Sequence, residues 1–154
     1  MRTILFTLSL IVASLCVTTQ ASAHCQVPCG IYDDHARVHA MQEDAATIRK
    51  AVVKVQALSK AKKKNVNQVT RWIVTKEEHA SRIIKTVSEY FLTQKIKPVP
   101  PKDPKYGSYL QKLTDHHRVM VWAMKNKQQL DLDTVGKLDK AIDAIGRYWT
   151  RPKK

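Results

Sequence analysis

Four stretches of the chain place apolar residues at alternating steps of three and four, the spacing that gathers side chains onto one face of an α-helix. The first runs Val38, Met41, Ala45, Ile48, Val52, Val55 and Leu58, with Asp33 or Asp34 positioned as its N-cap, and the basic run Lys60-Ala61-Lys62-Lys63-Lys64 ends it. The second runs Val69, Trp72, Ile73, Ala80, Ile83, Val87, Tyr90 and Phe91 behind a cap at Asn65 or Asn67; Lys76, Glu77 and Arg82 are assigned to its polar face. Next comes Lys97-Pro98-Val99-Pro100-Pro101-Lys102-Asp103-Pro104, which cannot be helical because its prolines lack amide donors and force their neighbours into extended conformations. A third stripe follows at Tyr106, Tyr109, Leu110, Leu113, His117, Met120, Val121 and Met124. The fourth, Val135, Leu138, Ile142, Ile145 and Trp149, starts behind Asp131 or Asp133.

Four amphipathic helices with mostly short links, few glycines and no strand-like alternation predict an all-α protein, an antiparallel up-down four-helix bundle. Ahead of it, residues 1–23 have the layout of an export leader. Arg2 gives the basic start, Ile4 to Val17 the apolar stretch, and Ala21-Ser22-Ala23 the small-residue site for signal peptidase. The leader is too short and wrongly flanked for a stable membrane anchor. The expected mature chain is therefore a single domain, residues 24–154, exported to a periplasm or to the extracellular space.

Charge narrows the function. The chain has 27 Lys and Arg against 13 Asp and Glu, and only Arg2 of these lies in the leader, so the mature net charge is 26 minus 13, or +13. Most of this charge belongs on solvated helix faces; collectively it attracts small anions and can raise their association rates by about 10 to 1,000-fold. Nucleic acid as a partner is disfavoured by export and by the absence of zinc-finger spacing or an RNA-recognition signature. Nor does the sequence hold Glu-x-x-His pairs for a di-iron bundle, a His-Glu-x-x-His zinc site or a nucleophile elbow.

The chemistry is concentrated in His24-Cys25-Gln26-Val27-Pro28-Cys29-Gly30-Ile31-Tyr32-Asp33, immediately behind the cut site. A new terminus at His24 brings together a free α-amine, an imidazole, the Cys25 amide nitrogen and the thiolates of Cys25 and Cys29. Amine, amide nitrogen and Cys25 sulfur close adjacent five-membered chelate rings, a planar arrangement suited to Ni(II) or Cu(II). Pro28 fixes φ and Gly30 permits an unusual turn, so the chain can hook back and offer Cys29 at the fourth corner, leaving the His24 ring as an axial ligand. The competing reading is a short-loop Cys25–Cys29 disulfide, which would restrain the unfolded chain only slightly.

This motif, at residues 24–33 and directly behind a cleavage site, resembles the nickel hook of the nickel superoxide dismutase family. The resemblance implies a nickel cofactor held by His24, Cys25 and Cys29. It also implies dismutation of superoxide to O2 and H2O2 through a Ni(III)/Ni(II) cycle, with the imidazole joining the metal when oxidised and leaving on reduction. Tyr32 matches a tyrosine that screens the open face of the metal, and Pro28 and Gly30 match loop-shaping positions. The family's fold is a four-helix bundle assembled as a homo-hexamer, with an aromatic pair near its end where this chain has Tyr148-Trp149. The family holds its N-terminal imidazole with a glutamate on the first helix and an arginine on the second, and here His39 and His79 fall at those positions. A nickel or copper binding and delivery protein without turnover is the alternative that uses the same hook.

Overall fold

A computed structural model describes residues 32–150 of the chain; the leader, its cut site and the residues from His24 to Ile31 lie outside that range. The described residues form four helices and no strand: α1 (Asp34–Lys60), α2 (Val66–Lys85) running on into a π-helical segment (Thr86–Lys95), α3 (Tyr106–Gln128) and α4 (Leu132–Gly146). Helix α1 packs against α2 and α4, and α3 against the same two, so antiparallel neighbours close a four-helix bundle.

Local chemistry sets the helix starts. The Asp33 carboxylate accepts from the amides of His35 and Ala36, Asn65 from that of Gln68, and Asp131 from those of Asp133 and Thr134. Each satisfies amides that the first turn leaves without partners. The proline-rich link between the π-helical segment and α3 is non-helical, as its composition requires.

The core is built from Met41, Ala45, Ile48 and Val52 of α1, Ala80 and Ile83 of α2, Val87 and Phe91 of the π-helical segment, Val119 and Ala123 of α3, and Val135, Leu138, Ile142 and Ile145 of α4. The π-helical segment is a departure from the regular helix expected there. Its hydrogen bonds reach five residues back, as in Ile96 N–H to the Phe91 carbonyl at 2.9 Å. In a 3.6-residue turn, consecutive residues point well apart. The wider turn buries both Tyr90 and Phe91.

Two expectations are corrected. The inward face of α3 is His116, Val119, Ala123 and Asn126, one residue out of phase with the predicted stripe; Leu110, Met124 and His117 are exposed. Counting apolar volume misjudged this face because the structure buries small side chains there, together with polar ones whose donors find partners, while the Asn126 side-chain oxygen has none. His116 makes two hydrogen bonds, and the Asn126 amide donates to the Trp122 and Thr134 carbonyls.

The second correction is Lys76, assigned to the polar face but only 2% exposed. Its ammonium donates to the Asn126 and Lys127 carbonyls at the last turn of α3 and pairs with Glu77 at 3.1 Å. A cation is favoured at a helix C-terminus, where carbonyls lack intrahelical partners. Lys76→Met, of similar length but without a donor, strands those carbonyls. It is expected to cost about 2–4 kcal/mol, read as a lowered urea midpoint with an unchanged slope.

Candidate functional site

Where α1 begins, several contacts tie it to the end of α2. The Tyr90 hydroxyl, carried inward by the π-helical turn, donates to Asp34 Oδ1 at 2.5 Å and lies 3.2 Å from the Tyr32 carbonyl oxygen. Lys95 Nζ reaches the other Asp34 oxygen at 2.9 Å. The Tyr32 ring, 40% exposed, meets the Tyr90 ring edge-on at 5.9 Å between centroids, and the Arg37 guanidinium lies 4.7 Å from the Tyr32 ring centre. Burial, then the hydrogen bond and charge of Asp34, push the Tyr90 phenol far above its ordinary range, so it remains a protonated donor. The residue at which the predicted hook joins the bundle is thereby fixed in place.

The other predicted site residues fall as follows. His24, Cys25, Pro28, Cys29 and Gly30 lie outside the described residues. His39 is exposed and sits 3.6 Å from Glu43, lining a groove between α1 and α4 with Gln42, Asp143 and Arg147. His79 instead faces the seam between α1 and α2. Its Nδ1 is 2.5 Å from Asp44, and its Nε2 pairs with Arg82, so Nδ1 carries the proton. Arg82 Nε also lies 3.5 Å from Asp44. The two histidines are thus not brought to one place. A carboxylate on α1 and a guanidinium on α2 do meet, at Asp44 and Arg82, about 15 Å along α1 from Asp34 by the helical rise.

Sequence reasoning missed Tyr90, Asp34 and Arg37 as neighbours of Tyr32. No signal in the sequence marked the first: consecutive residues are buried together in the regular helices as well, as Ala51 and Val52 are in α1.

Behind Tyr90 lies a second polar cluster. His116, fully buried, donates from Nδ1 to the Lys112 carbonyl at 2.7 Å and accepts at Nε2 from the Trp149 indole at 3.1 Å. Asp115 accepts from the Tyr148 hydroxyl at 2.6 Å, from Arg118 at 2.8 Å and from Gln111 at 3.1 Å. Burial by itself would raise the Asp115 carboxyl, but these donors outweigh it and hold it below the usual range. The same hydrogen bond, followed by burial, raises the Tyr148 phenol.

Burial lowers the His116 imidazole from its ordinary 6.5. The folded chain refuses a proton that the unfolded chain takes up, so this contribution is complete above the unfolded value and is lost as pH falls through the interval below it. The thermal midpoint is therefore expected to decline as pH falls below the ordinary imidazole value of 6.5, and His116→Asn should flatten that part of the profile.

Among the described residues no group of three His, Cys, Asp or Glu could hold a metal, and no helix is long and apolar enough to cross a membrane. Compared with known proteins, the chain matches the model of nickel-containing superoxide dismutases over residues 19–153, a span that includes the hook motif as well as the bundle. No curated protein and no solved structure matches it. The match makes the protein an oxidoreductase with nickel as its cofactor: the chain belongs to the nickel-containing superoxide dismutase family.

Proposed function

We propose that the dismutase reaction takes place at the N-terminus of the processed chain. There the α-amine and imidazole of His24, the Cys25 amide nitrogen and the thiolates of Cys25 and Cys29 hold the nickel ion. The observation that carries this reading is the family match, which takes in the whole motif from His24 to Asp33. The donor set is consistent with it: two thiolates with amine, amide and imidazole nitrogens suit nickel or copper and are a poor set for magnesium or calcium. All three cysteines of the chain precede Tyr32, so the described bundle has no thiolate to offer.

When bound, nickel supplies a one-electron couple between its divalent and trivalent states, oxidising one superoxide to O2 and reducing the next to H2O2. The two sulfurs and the amide nitrogen are electron-rich and favour the higher oxidation state. Pro28 and Gly30 shape the turn that lets Cys29 return toward the terminus. Tyr32, held by Tyr90 at the foot of the hook, screens the approach and orders water with its half-exposed phenol. Arg37 beside it and the mature charge of +13 draw the superoxide anion in.

Residues 1–23 act as an export leader, and the enzyme works in a periplasm or outside the cell. It assembles as a homo-hexamer. Ile73, Val74, Leu110 and Met124, apolar yet exposed on α2 and α3, are suited to contacts between copies, and light scattering tests the stoichiometry.

N-terminal sequencing, elemental analysis and superoxide consumption by the native protein test the central claim. Protein starting at His24 is expected to bind nickel and turn over; an Ala23-extended form, whose terminal amine has become an amide, is expected to be nearly inactive. Full activity in the extended form, or in nickel-free protein, would overturn the proposal. Because the field of the chain assists encounter, kcat/KM is expected to fall as salt is raised through about 0.01 to 0.15 M, over which the Debye length shrinks from about 30 to about 8 Å.

A further inference from the structure

Ring contacts run without a break from Tyr32 to the C-terminal end of the described chain. Tyr32 meets Tyr90 at 5.9 Å between centroids, Tyr90 meets Phe91 at 5.1 Å, and Phe91 meets Trp149 at 4.9 Å. His116 touches Phe91, Trp149 and Tyr148 at 5.4, 5.8 and 6.1 Å. Aromatic packing alone is ordinary in a core. The hydrogen-bond partners of these rings set this row apart. The Tyr90 phenol donates to the Asp34 carboxylate, the Trp149 indole to the bare Nε2 of His116, and the Tyr148 phenol to the Asp115 carboxylate.

A backbone carbonyl would satisfy a buried phenol or indole equally well. It could not take a proton at neutral pH; a carboxylate or an imidazole can. That difference matters only if the ring is oxidised. Losing an electron makes a phenol a far stronger acid than a carboxylic acid and an indole N–H about as acidic as one, and a charge stranded in the interior is costly. With an acceptor already hydrogen bonded, electron and proton leave together and the ring ends neutral. Each oxidisable ring behind Tyr32 has such an acceptor.

We propose that Tyr90, Trp149 and Tyr148, bridged by Phe91 and His116, form a path that carries single oxidising equivalents away from the Tyr32 end of the protein to its half-exposed C-terminal aromatic pair. The inference rests on the hook being the metal site, Cys29 preceding Tyr32 by three residues in the chain. The oxidant is the one-electron species generated when product hydrogen peroxide meets the metal centre again. It takes an electron from Tyr90, whose proton passes to Asp34. Tyr90 regains an electron from Trp149, whose Nε1 proton passes to His116, and Trp149 regains one from Tyr148, with its proton going to Asp115. A diffusible thiol or enediol reductant supplies the last electron at the surface, and each proton returns to its ring. In sum, one electron crosses from reductant to oxidant and the side chains are unchanged. The path would spare Cys25 and Cys29 from the oxidant formed next to them.

The test adds hydrogen peroxide to nickel-loaded, processed protein, then combines freeze-quench electron paramagnetic resonance, peptide mapping of oxidised residues and the rate of inactivation. The expected result is a neutral tyrosyl or tryptophanyl radical, with oxygenated product concentrated at Tyr148 and Trp149. In Trp149→Phe, damage should move to Tyr32, Tyr90 and the two cysteines, and inactivation should be several-fold faster. Tyr90→Phe keeps the ring and its packing, so it covers the case in which Trp149→Phe folds poorly, and it should leave Trp149 unoxidised. Equal damage patterns and inactivation rates in the parent protein and Tyr90→Phe would overturn the inference, as would equal Trp149 oxidation in nickel-free protein. Dismutase activity measured before peroxide is added separates the two claims. Its absence removes the hook reading and this one together, whereas normal activity without radical transfer removes this one alone.

Discussion

The hydroxyl of Tyr90 is the point on which the arrangement of the site depends. It joins the first turn of α1 to the last turns of α2 through Asp34 and approaches the carbonyl of Tyr32, the first described residue. A buried phenol needs a partner, and a carboxylate is among the strongest it can have. Tyr90 reaches Asp34 from the π-helical segment, where it is buried beside Phe91. The π-helical segment thus carries the residue that anchors the start of the described chain. The bundle holds Tyr32, the first described residue, through Tyr90 and Arg37.

The same end of the bundle holds the C-terminal aromatic pair. Phe91 lies between Tyr90 and Trp149, and His116 is hydrogen bonded to Trp149 with its tautomer fixed by the Lys112 carbonyl. Asp115 and His116 are adjacent on α3 and take the hydroxyl of Tyr148 and the indole of Trp149 in turn. The close of the chain is thus locked by two specific hydrogen bonds as well as by burial.

Much of the fold was legible because it rests on local rules. Apolar spacing found all four helices, and Asp33, Asn65 and Asp131 were named among the cap candidates because short polar side chains serve helix starts. The proline cluster was correctly read as a break. What stayed hidden depended on partners distant in sequence. Lys76 looked like surface until the end of α3 supplied its carbonyls, and α3 was phased toward Leu110 and Met124 because nothing local reveals that the Trp149 indole meets His116. The proposed metal motif lies ahead of the described residues and was read on a different basis: the donors that the family resemblance implies, His24, Cys25 and Cys29, are nearly contiguous in the chain. The seam of Asp44, His79 and Arg82 joins two helices and was not readable in that way; His39 and His79, taken as counterparts, face different neighbours.

The up-down topology has a practical corollary. Since α1 begins and α4 ends on the same side of the bundle, the polypeptide enters and leaves the described region close together, with Tyr90 and Phe91 between Tyr32 and Trp149. On the proposed reading, a purification handle left ahead of His24 would block its α-amine. One fused at the carboxyl end would emerge beside the Tyr148-Trp149 pair, on the face where Tyr32 starts the bundle. A recombinant version is best handled with a removable carboxyl-terminal extension on a long, neutral spacer, or with none.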